Sequence, residues 1–187
     1  FRMLEDLIAK TGSKMGPYEY YISQLIVAAT GYDELYFDKL FGNCVLRLGL
    51  KDTYLKVIYP LLMRIGLLWT SGSFSPAYEH FCTQLIKQKI SAAIDALPPA
   101  ENSTKCWLLF LPENEFHDIG LLFSNYLLKL AGKKVIYLGT NMPFQSLTQA
   151  EEELHPANVL LFAVHSEGVE PLINYLKSLK KIFKKIK

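Results

Sequence analysis

Apolar residues recur three and four positions apart through the first half of the chain, and in short unbroken runs through the second. The helical spacing predicts helices over 18–30, 33–48, 51–69 and 76–97, with Gly31, Gly49 and Gly72 at the joints. Pro60 lies inside the third segment and predicts a kink there. Residues 1–10 read as a further short helix. Four helices of this length joined by short loops predict a bundle.

Pro98-Pro99-Ala100-Glu101-Asn102-Ser103 breaks the pattern, and after it the period changes. Short apolar runs at 105–111, 134–138 and 158–164 read as strands, and 117–131, 144–154 and 168–186 as helices between and after them. Alternation of strand and helix predicts a parallel sheet with crossover helices. The expected architecture is α plus α/β: a helical bundle over 1–97, a linker over 98–104, and a Rossmann-like, flavodoxin-like domain over 105–187. Three strands make a small sheet, so that domain reads as truncated at its C-terminal end. The chain opens on Phe1 without a methionine and reads as a fragment of something longer.

Composition narrows this picture. Half of the 187 residues are apolar, enough for a sizeable core, and a net charge of +2 demands no anionic partner. Cys44, Cys82 and Cys106 are odd in number and each sits in an apolar run. They read as buried thiols in a reducing compartment, which points to the cytoplasm. No stretch reaches membrane-spanning length and no signal peptide is visible, so no membrane partner is expected. The phosphate cradles of nucleotide-binding motifs are missing, and no nucleophile, base and orienting group fall together, so catalysis is not expected.

The most informative stretch is Glu115-Phe116-His117-Asp118-Ile119-Gly120. It joins a predicted strand to a predicted helix, which is where open parallel sheets bind ligands. A histidine there can bind a metal through one ring nitrogen while a carboxylate two residues earlier orients the other. Gly120 lets backbone approach something bulky. A histidine alone at a helix entry is more often a cap or a surface residue than a ligand. A second constellation bears on the choice. Trp69 closes the third helical segment, and Glu79-His80 falls in the first turn of the fourth, behind Ser75 as cap and Pro76. The three could meet at one end of the bundle. The plainer alternative makes Trp69 core, Glu79 a partner of the helix dipole and His80 a satisfied side chain.

Gly139-Thr140-Asn141-Met142-Pro143 follows the second strand on the same sheet edge, as a pocket wall or as an ordinary turn. The last helix sets Lys177, Lys180, Lys181, Lys184, Lys185 and Lys187 against Leu176, Leu179, Ile182, Phe183 and Ile186, an amphipathic helix with a solvated basic face. Tyr18, Tyr20, Tyr21, Tyr32, Tyr36 and Phe37 read as bundle packing.

A helical bundle followed by Glu-x-His-x-x-Gly on a Rossmann-like module resembles the cobalamin (vitamin B12)-binding domains. Trp69 followed after nine residues by Glu79-His80 is similar to the MerR-type transcription regulators that bind adenosylcobalamin. The resemblance runs from about Tyr18 to the end. It implies a sensor region that binds adenosylcobalamin between bundle and sheet domain and controls self-association, as dimer or tetramer, and DNA binding. DNA would be reached only through a winged-helix domain not in this sequence. His117 would be the lower axial ligand of cobalt, with Glu115 and Gly120 completing its loop. Trp69 would cover the upper face, with Glu79 and His80 toward the adenosyl group. Gly139 and Ser166 would line the same cofactor site. Three positions depart from the pattern. Thr70 stands where light sensors of this kind carry a cobalt-capturing histidine. Ala163-Val164-His165 replaces a serine-bearing loop, with Ser166 as a substitute hydroxyl. The later Gly-Gly strand end is absent. Two further readings stay open: a methyl-carrying corrinoid protein of a methyltransferase system, and a degenerate module that no longer binds cobalamin.

Overall fold

The computed structural model describes residues 16–100, 105–164 and 168–184, which fall into two compact units divided at Leu85/Ile86. The division lies inside a helix. The suggested helix over 1–10 lies outside the described residues.

The first unit is helical. Helix α1 (Glu19–Thr30) buries Ile22, Leu25, Ile26 and Ala29, the stripe its spacing dictates. Asp33 caps α2 (Glu34–Thr53) by accepting the Tyr36 N–H at 2.9 Å. Gly49 stands inside α2 at φ 74, ψ 161, so it is a joint between two helical runs, as its place in the pattern predicts. A single π turn, Tyr54–Ile58, then leads into α3 (Tyr59–Thr70). The wider turn answers Pro60, which has no N–H to donate and whose ring crowds the carbonyl one turn back. The expected kink is therefore a π turn placed just before the proline. Arg64 grips the Glu19 carboxylate with both guanidinium nitrogens, tying α3 to α1. Phe37, Val57, Leu61 and Ile65 are buried, whereas Tyr20 and Tyr32 are exposed, so the tyrosines do not all pack as expected. Tyr32 instead lays its ring against Tyr78 and Phe81. Helix α4 (Pro76–Asp95) carries the chain across the division.

The second unit holds a three-stranded parallel sheet in the order β2-β1-β3: β1 (Cys106–Phe110), β2 (Lys134–Gly139) and β3 (Asn158–Leu160). Helices α5 (Ile119–Leu130), α6 (Ser146–Leu154) and α7 (Val169–Ile182) alternate with the strands. Period-two alternation sorts the side chains. Leu108, Phe110, Ile136, Leu138 and Val159 face α6 and α7. Leu109, Leu111, Val135, Tyr137 and Leu160 face α5. A sheet covered on both faces explains why β1 reads as an unbroken apolar run. The third strand stops at Leu160, short of its expected reach to 164, and the Val164 N–H is used by a side chain described below. In α7, Leu179 and Phe183 are buried, while Ile173 and Leu176 are exposed, so only part of the expected apolar face is covered. The three cysteines are buried and free, as expected. Burial pushes the Cys44 thiol up to about 11 and the Cys82 thiol up to about 12, which leaves both inert at neutral pH. No helix among the described residues is long and apolar enough to cross a membrane.

Candidate functional site

The candidate ligand loop grows out of β1, the central strand. Leu111 donates to the Gly139 carbonyl at 2.8 Å, and Met142 donates back to the Leu111 carbonyl at 3.0 Å. The exits of β1 and β2 are thus laced together. Asn114 and Asn141 continue the lacing, both in the left-handed region that asparagine tolerates. The Asn114 N–H donates to Asn141 Oδ1 at 2.9 Å, and the Asn141 N–H to the Glu115 carbonyl at 3.2 Å. Gly139, at φ +82, is required by its backbone conformation.

Glu115 is the hub. Its carboxylate is buried, a position tolerated only when its lone pairs are filled. Oε1 accepts the N–H groups of Phe116 and His117, each at 3.0 Å, and lies 2.6 Å from His117 Nδ1. Oε2 accepts the Val164 N–H at 2.7 Å, which reaches across to the loop after β3. Against an ionised carboxylate, which only accepts, a neutral imidazole would carry its hydrogen on Nδ1. The lone pair is then on Nε2, and the His117 side chain is 62% exposed. A fixed tautomer with its other nitrogen free is the arrangement of a metal-ligating histidine with a carboxylate behind it. Phe116 and Val164, 59% and 63% exposed, flank the loop with apolar surface.

These residues fit a large flat metal complex better than a bare ion. Among the described residues, no group of three or more His, Cys, Asp or Glu could hold an ion. A metal that arrives with its own equatorial ligands needs one protein nitrogen, and His117 offers one. Gly120 points the same way. A Cβ there would meet only the Phe162 ring, at 3.8 Å and 3.9 Å, which is ordinary contact. Among the described residues no contact demands a glycine in the first turn of α5.

In the first unit, Trp69 lies in the last turn of α3 and is 53% exposed, which removes the core alternative for it. Ser75 caps α4, accepting the Ala77 N–H at 3.3 Å, as its position predicts. Glu79 is half-buried and His80 exposed in the turn that follows. The Phe74–Tyr78 ring contact packs that turn. Trp69 stands before the 71–75 turn and the Glu79-His80 pair after it, and among the described residues no hydrogen bond joins them. Thr70 Oγ1 donates to the Leu67 carbonyl at 2.8 Å. His165 and Ser166 lie outside the described residues. Sequence reasoning missed Asn114 and did not foresee that Asn141 and Val164, each inside a stretch it named, would tie into the Glu115 loop. A pair of asparagines at corresponding strand exits was the one available signal.

Comparison with known proteins supports the resemblance. Residues 21–94 match the model of a family described as B12 binding domain. Two curated relatives are HTH-type transcriptional repressors of Myxococcus xanthus. CarH is 27% identical over 162 residues, covering 87% of this chain and 54% of the repressor. CarA is 31% identical over 120 residues, covering 64% of this chain and 40% of the repressor. The chain spans about half the length of the curated relatives it matches. In fold it is similar to the monomethylamine corrinoid protein of Methanosarcina barkeri, with a TM-score of 0.60, 15% identity, 90% of this chain covered and 82% of that one. The family match falls on the helices that carry Trp69, Glu79 and His80. The role of His117 rests on the geometry of its loop.

Proposed function

Because residues 21–94 match a B12 binding domain model and the chain is similar to HTH-type transcriptional repressors, we propose that it is a cobalamin-binding sensor region of a transcription regulator, with adenosylcobalamin as its effector. One observation carries this reading. Glu115, buried, holds His117 by Nδ1 and leaves the side chain 62% exposed. When bound, a corrinoid would supply a cobalt centre that exchanges ligands with the protein. His117 Nε2 would hold that cobalt, a neutral imidazole being a good ligand for such a metal. Gly120 would admit the ligand close to the first turn of α5, and Gly139 and Ser166 would line the same site. Trp69 would offer its flat indole to the upper face. Glu79 would accept hydrogen bonds from ribose hydroxyls, and His80 would stand beside it. Thr70 has no nitrogen with which to capture cobalt, so the chain would not trap the cofactor by that route after photolysis.

Regulation requires that one arrangement of the protein bind the effector better than another. Self-association is the readout we propose. DNA contact would fall to an HTH-type segment of the kind the relatives' names describe. The module would bind and signal and would catalyse nothing itself. The exposed Trp69, with Glu79 and His80 in the following turns, favours an adenosyl cap over a methyl carrier, which must present its cobalt to partner enzymes.

The test is an absorbance spectrum of the full chain mixed with adenosylcobalamin in the dark and desalted, beside His117→Ala. Retained corrin with a His117-dependent spectrum supports the reading, and the change on illumination reports photosensitivity. Loss of all corrin on desalting would leave a degenerate module that answers to another ligand or a protein.

A further inference from the structure

Asp118 follows the proposed ligand and stands at the N-cap of α5, yet its side chain makes no capping bond. An aspartate there ordinarily accepts an N–H from the next turn. Here the carboxylate turns to Lys87, with Nζ 2.6 Å from Oδ1. Both side chains are largely covered, 26% and 16% exposed, and Oδ1 is closed off from water without an aligned hydrogen bond, so the ammonium holds it as a close charge contact. Lys87 lies on the later half of α4, which belongs to the second unit, so the pair is internal to that unit. The backbone at Asp118 is meanwhile bent into the ligand loop. Its N–H donates to the Phe116 carbonyl at 2.9 Å, and its carbonyl accepts the Leu122 N–H at 2.8 Å. Tyr137 on β2 feels the same carboxylate: burial first, then the Asp118 charge, push its phenol up to about 12.

We propose that Lys87 and Asp118 are positioning residues for His117, an ion pair that clamps the entry of α5 to α4 and so fixes the loop that aims the imidazole. Asp118 gives up a local cap for a long-range partner. Without the ammonium, a carboxylate oxygen shielded from water has to move, because an unpaired buried charge is strongly disfavoured. It would swing to cap α5 or turn outward. Either move displaces the peptide that joins it to His117, whose N–H is set on Glu115 Oε1 at 3.0 Å. The functional half of this inference rests on the cobalamin reading. The mechanical half does not.

The experiment uses the full chain in four forms: wild type, Lys87→Gln, Lys87→Arg, and the exchanged pair Lys87→Asp with Asp118→Lys. Amide hydrogen exchange is followed without corrinoid, and the spectrum of hydroxocobalamin retained after desalting is recorded separately. The expected result is that Lys87→Gln speeds exchange at Phe116, His117 and Leu122 about tenfold and leaves Leu108 and Leu109 unchanged. Lys87→Arg and the exchanged pair should restore the slow rate. The His117-dependent fraction of bound corrin should fall several-fold and recover in the same order. Unchanged exchange at the loop overturns the clamp. So does faster exchange at Leu108 and Leu109, which makes the pair a prop of the whole unit, and so does failure of the exchanged pair to restore it, which assigns the effect to packing. If wild type retains no corrin, the cobalamin reading fails while the exchange data still decide the clamp.

Discussion

The two units hold their candidate residues in opposite ways. In the second, the His117 ring and N–H meet one buried carboxylate, which also holds the N–H groups of Phe116 and Val164. In the first, Trp69 and His80 stand exposed on helix ends, and their positions follow from the capped turn between them. A residue that must keep one ring nitrogen aimed needs such wiring, because a misplaced lone pair is a lost ligand. A residue that covers a flat surface needs area more than aim. On the proposed reading, His117 would be the fixed ligand and Trp69 an adaptable cover.

This contrast can be broken by mutation. The largest effect is expected from His117→Ala. It should lower cobalamin affinity beyond the roughly 10–100-fold typical of outer partners, and cost about 1 kcal/mol of stability because the buried Glu115 carboxylate loses one of its donors. Dialysis against free cobalamin with a thermal melt checks both. Glu115→Ala comes next. Three backbone N–H groups lose their acceptor, so about 3 kcal/mol of stability should go, with affinity down roughly 10–100-fold. A Glu115→Ala protein as stable as wild type, by urea titration, would erase the wiring half of the contrast.

Trp69→Ala should cost under about 1 kcal/mol, as expected for a surface side chain, yet weaken adenosylcobalamin more than hydroxocobalamin. Equal weakening of the two, measured side by side by calorimetry, would contradict an adenosyl cover. The smallest effect belongs to Glu19. Its hydrogen bonds from Arg64 hold its carboxyl below the ordinary glutamate value. A depressed folded pKa gives stability that is present above the ordinary value and lost as pH falls through the folded one. Glu19→Gln should therefore flatten the acid limb of the stability curve below about pH 4.5, by at most about 1 kcal/mol given its partial exposure.

The sequence made the fold legible where one periodicity ruled. Both faces of β1 are covered, so its apolar run could only be a central strand, and Gly49 and Ser75 punctuated helices as their chemistry requires. The third strand was overdrawn because Leu161, Phe162 and Val164 continue its apolar run while the backbone leaves the sheet toward Glu115. The Glu115–His117 pair was legible because its two-residue spacing is local. Asn114 with Asn141, Val164 with Glu115, and Lys87 with Asp118 were not, since each joins positions far apart in the chain. Asp118 shows the same limit. Its place suggests a helix cap, and only the fold reveals the lysine that claims it.

On the proposed reading, His117 Nε2 would ligate cobalt from a loop held by Glu115. The most direct measurement is an electron paramagnetic resonance spectrum of the protein loaded with cobalamin and reduced to the paramagnetic cobalt(II) state, prepared with ordinary and with nitrogen-15-labelled histidine. The account predicts that labelling turns the nitrogen splitting from triplets into doublets and that His117→Ala abolishes that change. A splitting that stays triplet with labelled histidine would mean that cobalt keeps a nitrogen not supplied by the protein, and the role given to His117 would be contradicted.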